Sequence, residues 1–181
     1  TKDCNKEVFE KAIEEGKTEE FLNKIEVKKG DCFLINSGLV HAICEGVIIA
    51  EIQQNSDITY RIYDYGRPRE IHVEKSLDVI DFNLKAINAS ESNLVEFKEY
   101  KKGILCESDY FTIEKYIING QVEEDSDEKK FYILTCVDGD GKILSEGNKE
   151  CVISKGDSIF IPAKLGKYII KGSLTLLKSY V

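Results

Sequence analysis

The chain has 181 residues, 42% of them hydrophobic and 32% charged, and a formal net charge of -8. That is enough to bury a real core and to hold one domain or one and a half. The acidic balance excludes nucleic acid and anionic membrane as general partners. No apolar run approaches the roughly 20 residues that cross a bilayer, and the N-terminus lacks the apolar centre of a signal peptide, so the expectation is a soluble, cytoplasmic protein. The six cysteines, Cys4, Cys32, Cys44, Cys106, Cys136 and Cys151, include no C-x-x-C pair. Reduced, mostly packed thiols fit that spacing better than a disulfide framework or a cysteine metal site.

In chain order, the first 25 residues predict two short helices. Val8, Phe9, Ala12 and Ile13 recur at helical spacing before a stop at Gly16, and Thr18 can cap a second piece carrying Phe21, Leu22 and Ile25. From Val27 onward the pattern turns to strands. "DCFLI", "HAICEGVIIAEIQ" and "DITYRIYDYG" are rich in Ile, Val and Tyr and broken by turn residues. "HVEKSLDVIDF" predicts a helix with Val73, Leu77 and Ile80 inward, and "NLKAINASESN" a linker. Beyond about Leu94 short strands alternate with turn signals, including "VDGDGK" and "SEGNKE", in the manner of a sandwich or barrel. The acidic run "QVEEDSDEKK" reads as a solvated hairpin loop.

One element occurs twice. "KKGDCFLINSGLVHAI" from Lys28 aligns with "SKGDSIFIPAKLGKYI" from Ser154, so that Gly30 matches Gly156, Asn36 matches Pro162 and His41 matches Lys167. Two copies of one strand-turn-strand unit predict two related β-barrels. All three arginines, Arg61, Arg67 and Arg69, fall inside "YRIYDYGRPR", while lysine supplies every other basic residue. Arginine's rigid fork suits carboxylates and phosphates, so the cluster marks either a site for an anionic ligand or an ion-paired strand end with Asp64 and Glu70.

The spacing of Gly30, Gly38 and His41, with Asn36 where proline is usual, resembles the second motif of the cupin superfamily, small jelly-roll barrels that point a histidine at a metal. The second copy has Lys164 and Lys167 in place of that glycine and histidine, and a protonated lysine is no ligand, so its barrel is expected to be metal-free. Over its whole length, the run from Gly30 to Ile80 resembles bacterial type I mannose-6-phosphate isomerase, through "HAI", "EIQQNSD", "YRIYDYGR" and "EIHVEKSLDVI" in that order.

The resemblance implies a mainly β protein: the return half of one cupin barrel and one complete metal-free copy, with a short N-terminal helical segment. It implies a zinc-dependent aldose-ketose isomerase that interconverts mannose 6-phosphate and fructose 6-phosphate, with His41 a zinc ligand, Arg61 the catalytic arginine, and Glu51 in the same pocket contacting substrate. Arg67 is assigned to the sugar phosphate. Strand alternation agrees, since Glu51 and Gln53 would share one face, and Thr59, Arg61 and Tyr63 another. His72, before the predicted helix, is given no catalytic role.

A catalytic zinc takes three protein ligands, and the family draws its others from an upstream Q-x-H-P-like stretch that this sequence does not contain. The expected organisation is therefore residues 1–82 as helical insertion and return half of a catalytic cupin, 83–94 as linker, and 95–181 as the metal-free cupin. Such a chain is expected to be a C-terminal part, inactive alone and prone to self-association through exposed strands. The alternative is a non-catalytic cupin that binds a sugar or a protein partner.

Overall fold

The predicted N-terminal helix runs Lys6–Glu14 (α1), with the Asn5 side chain accepting from the Val8 N–H at its start and Gly16 in the left-handed region just beyond its end. Phe9 and Ala12 are its buried face, and Phe9 meets Phe82 edge to face at 5.7 Å. Thr18 does not cap the next piece. It is the first residue of a single 3-10 turn, Thr18–Phe21, and is buried, while Lys17 holds the cap position with no capping bond from its side chain. The helix expected near residue 73 is Val73–Val79 (α2), which buries Ser76 and Leu77.

The computed structural model describes residues 1–2, 4–89, 94–147 and 149–181. By their contacts they form two units, Thr1–Ile49 with Asn55–Asn88, and Ala50–Gln54 with Ala89–Val181. Part of the expected linker, residues 90–93, lies outside the described residues.

In the first unit the three predicted strands are a correction. Only Phe33–Leu34 (β1) forms, paired antiparallel with Ile87–Asn88 (β2), which had been assigned to the linker. "HAICEGVIIAEIQ" and "DITYRIYDYG" contain no strand. A strand, unlike a helix, satisfies its backbone only through a neighbour, and no ladder partner for these segments occurs among the described residues. Glu51, Gln53, Thr59, Arg61 and Tyr63 therefore lie in irregular backbone, and alternation does not set their faces.

The second unit is a seven-stranded antiparallel jelly roll. Its strands are Val95–Glu96 (β3), Tyr100–Glu107 (β4), Thr112–Asp125 (β5), Tyr132–Ser145 (β6), Lys149–Ser154 (β7), Ser158–Ile161 (β8) and Lys167–Tyr180 (β9). They run in the order β3-β4-β5-β9-β6-β7, with β8 also on β6. Three strands of 14 residues, β5, β9 and β6, form the centre. Gly120, Gly172 and Gly141 lie side by side across them, and a Cβ on Gly172 would stand 2.5 Å from the Asp140 carbonyl oxygen. Side chains at that crease would block the close approach, so glycine lets the long strands fold over and enclose a core. "VDGDGK" belongs to this bend inside β6 rather than to a turn.

Tyr116, Ile118, Leu134, Ile153, Ile161, Tyr168, Ile170 and Leu176 fill the interior. Each such aliphatic side chain contributes about 1.5–3 kcal/mol of burial. The acidic run is a second correction. Gln121–Asp125 is the end of β5, where alternation turns Glu123 outward and Glu124 inward.

The repeat persists as local geometry. In both copies the glycine is left-handed, Gly30 at φ 99 and Gly156 at φ 97. In both, the following aspartate carboxylate accepts the backbone N–H three residues back, Asp31 from Lys28 at 2.9 Å and Asp157 from Ser154 at 2.8 Å. Position 38 and its counterpart Lys164 are both left-handed as well. The copies part company at the return strand. At Lys167 β9 begins, with β5 and β6 beside it, whereas at His41 the chain stays irregular.

Candidate active site

The arginine cluster is built on a tight turn. Tyr65 (φ 52) and Gly66 (φ 75) are both left-handed, and the Arg67 N–H donates to the Asp64 carbonyl at 3.0 Å. Two consecutive left-handed residues make a mirror-image β-turn that reverses the chain sharply. The loop closes at its base, where the His72 N–H donates to the Arg61 carbonyl at 2.7 Å and the Arg61 N–H donates to Nδ1 of His72 at 3.3 Å. His72 is thus a positioning group for Arg61's backbone, a role its place before a helix did not signal.

Asp64 is the centre of the cluster and is only 2% exposed. Arg69 grips its carboxylate through both Nε and a terminal nitrogen, and Arg67 reaches it at 3.1 Å. Arg61 is 3.9 Å away and donates instead to the Glu70 carbonyl at 3.1 Å. The bond from Arg69, with the nearby charges of Arg67 and Arg61, holds the Asp64 carboxyl below its ordinary value of 3.8 against the opposing effect of burial. Of the two readings of the arginines, the ion pairing with Asp64 is present. Three guanidinium charges face one buried carboxylate, so the cluster keeps a net positive charge, and the half-buried Arg61 keeps most of its fork free of Asp64.

Because the folded-state pKa of Asp64 is depressed, the order it imparts is complete above pH 3.8 and is lost as pH falls through the lower folded value. Asp64→Asn should remove that order at neutral pH too. The expected result is severalfold faster tryptic cleavage after Arg61 and Arg69 in the variant. Equal cleavage rates would show that the carboxylate does not organise the loop.

The other predicted site residues make none of the hydrogen bonds or ion pairs described for this cluster. His41 is exposed, and its Nδ1 is 3.0 Å from the Leu39 carbonyl oxygen. An Nδ1–H donated there leaves the Nε2 lone pair outward, the arrangement in which histidines ligate metals. Glu51 is exposed and belongs to the second unit. Among the described residues no group of three or more His, Cys, Asp or Glu side chains could hold a metal ion. One imidazole does not fit a catalytic zinc, which needs three protein ligands. Cys106 and Cys136 are buried thiols, while Cys44 and Cys151 are exposed. Among the described residues no helix is long and apolar enough to cross a membrane.

The antiparallel jelly roll of the second unit is the architecture of a cupin. Residues 101–181 match the family model "Mannose-6-phosphate isomerase, cupin domain". The Bacillus subtilis (strain 168) protein YvyI is 36% identical over 179 residues, 93% of this chain and 54% of that protein. The mannose-6-phosphate isomerase ManA of the same organism is 33% identical over 97% of this chain and 57% of its own length. The crystal structure of the mannose 6-phosphate isomerase from Bacillus subtilis superposes with a TM-score of 0.89 at 34% identity, covering 98% of this chain and 57% of that one. The chain is similar to mannose-6-phosphate isomerases along nearly its whole length, and it spans about half the length of the curated relatives it matches.

Proposed function

We propose that this protein is a zinc-dependent, cytoplasmic aldose-ketose isomerase that interconverts mannose 6-phosphate and fructose 6-phosphate, and that these 181 residues do not suffice for turnover on their own. The observation that carries the activity is the similarity of nearly the whole chain to a named mannose-6-phosphate isomerase. The insufficiency rests on His41 being a single imidazole with no metal-holding group around it among the described residues.

In this reading Arg61 stabilises the oxyanion that develops as hydrogen passes between adjacent sugar carbons through an enediol-like intermediate. Arg67 holds the phosphate, Glu51 contacts the substrate, and His41 is one of the metal's ligands through Nε2. The same reading accounts for exposed apolar side chains in the irregular segment, where Ile48 is 98% and Ile58 72% exposed. Segments with unpaired backbone and apolar side chains pair readily with a second copy, so the chain self-associates.

The test is a coupled isomerase assay on the purified chain with added zinc, alongside metal analysis and light scattering. The expected result is no turnover, less than one zinc per chain, and species larger than a monomer. A monodisperse monomer with one zinc and measurable turnover would overturn the insufficiency. Binding of a sugar without zinc or turnover would favour the non-catalytic reading.

A further inference from the structure

The interior of the second unit holds a buried ionic cluster that plays no part in the reading above. Lys178 Nζ is 2.9 Å from Glu124 Oε2 and 3.7 Å from Glu114 Oε2, and Lys102 Nζ is 3.1 Å from Glu124 Oε1. Lys178 also lies 4.2 Å from the centre of the Tyr132 ring. The Tyr116 hydroxyl is 3.0 Å from an oxygen of each glutamate, and Tyr180 donates to Glu114 at 3.1 Å.

Two observations carry this cluster beyond a structural role. The first is its incomplete hydrogen bonding. Tyr116 has one hydroxyl proton for two equidistant carboxylates, so one of those contacts lacks a hydrogen. Tyr168 is 1% exposed, stands opposite Glu124 in the β5–β9 ladder, and has a hydroxyl with no hydrogen-bond partner among the described residues. Buried hydroxyls in folded proteins rarely lack a partner, and each exception calls for a cause.

The second observation is access. Lys102 and Glu114 line an open groove of about 210 Å³ whose other walls are the exposed side chains of Val95, Phe97 and Ile104. At roughly 30 Å³ per water this is room for about seven waters, the scale of a small molecule rather than of a chain. Of the ionic cluster only Lys102 and Glu114 line the groove, one ammonium and one carboxylate, so it carries no net charge to favour an ion. Donors and acceptors set side by side beneath apolar walls suit a ligand whose hydroxyls both donate and accept.

We propose that this groove of the second unit binds an uncharged polyhydroxylated molecule, a monosaccharide or a polyol, with Lys102 donating to its hydroxyls and Glu114 accepting from them. All of its lining residues belong to the second unit, and the proposal does not depend on the isomerase reading.

Saturation-transfer NMR on the 181-residue chain tests it, with sorbitol, mannose and mannose 6-phosphate as probes. Sorbitol and mannose should receive saturation, and Lys102→Met and Glu114→Gln should each weaken that binding roughly tenfold. Ile104→Trp should abolish it by filling the groove while leaving the ionic cluster intact, so the test survives if a charge variant fails to fold. Arg61→Ala should leave the sorbitol signal unchanged. No transfer to either neutral probe from the folded chain would overturn the proposal. So would a signal that persists in Ile104→Trp, that comes from mannose 6-phosphate alone, or that disappears with Arg61→Ala.

Discussion

Arg61→Ala should lower turnover of mannose 6-phosphate by roughly 10² to 10³ in the catalytically competent form of this protein, the loss typical of removing one oxyanion-stabilising donor. The geometry around Arg61 is what singles it out among the three arginines. Arg69 is committed to the Asp64 carboxylate by two bonds, and Arg67 lies 3.1 Å from it. Arg61 stands off at 3.9 Å, held in place by a bond to a backbone carbonyl that neutralises none of its charge. Its fork is positioned and still available. Arg61→Lys should recover only part of the rate, because an ammonium keeps the charge and loses the planar fork. Arg67→Lys should act mainly on KM. The far-ultraviolet circular dichroism of all three variants should match the parent, and near-normal kcat in Arg61→Ala would remove the role assigned to it.

Glu124→Leu should destabilise the C-terminal barrel by about 3–5 kcal/mol, because it leaves Lys178 buried without its nearest counter-charge. Lys178 is 2.9 Å from Glu124 and its side chain is 8% exposed, so water cannot replace the lost partner. Adding Lys178→Met should restore most of the loss, since an apolar pair of similar volume carries no desolvation cost. Urea unfolding of the single and double variants measures both. If the double variant is no more stable than the single one, the two side chains are not coupled.

The same pair has a pH signature. Burial would push the Glu124 carboxyl up, yet Lys178 and Lys102 together hold it below its ordinary value of 4.5. A depressed carboxylate stabilises the fold fully above its unfolded pKa, and that contribution is lost as pH falls through the folded value. The double variant should therefore lose less stability than the parent on going below pH 4.5.

Residue type alone made one part of the arginine cluster legible. Three arginines in one nine-residue stretch, in a chain otherwise basic through lysine, pointed to an anionic ligand or to ion pairing with Asp64 and Glu70, and the structure has the pairing with Asp64. His72's hold on Arg61 was not legible, because the two are eleven residues apart and meet only through the turn at Tyr65 and Gly66. The ionic cluster of the barrel was missed for a different reason. Glu124 sits in a run of acidic residues that reads as solvated, and only the ladder with β9 turns it toward Lys178.

What the sequence determined by itself is whatever depends on a few neighbouring residues: the Asn5 cap and Gly16 stop of α1, and the paired K-G-D turns with their left-handed glycines. These conformations are decided by φ preferences and by side chains bonding their own backbone, so they form wherever the motif occurs. Tertiary structure decided which apolar runs became strands. "KYIIKGSLTLLKSY" and "HAICEGVIIAEIQ" have comparable β character, yet the first is the centre of a sheet and the second is irregular. The difference is in the neighbours, β5 and β6 flanking the one and no ladder partner among the described residues flanking the other. A strand's backbone groups are satisfied only across a ladder, and a ladder is a property of the fold rather than of the segment.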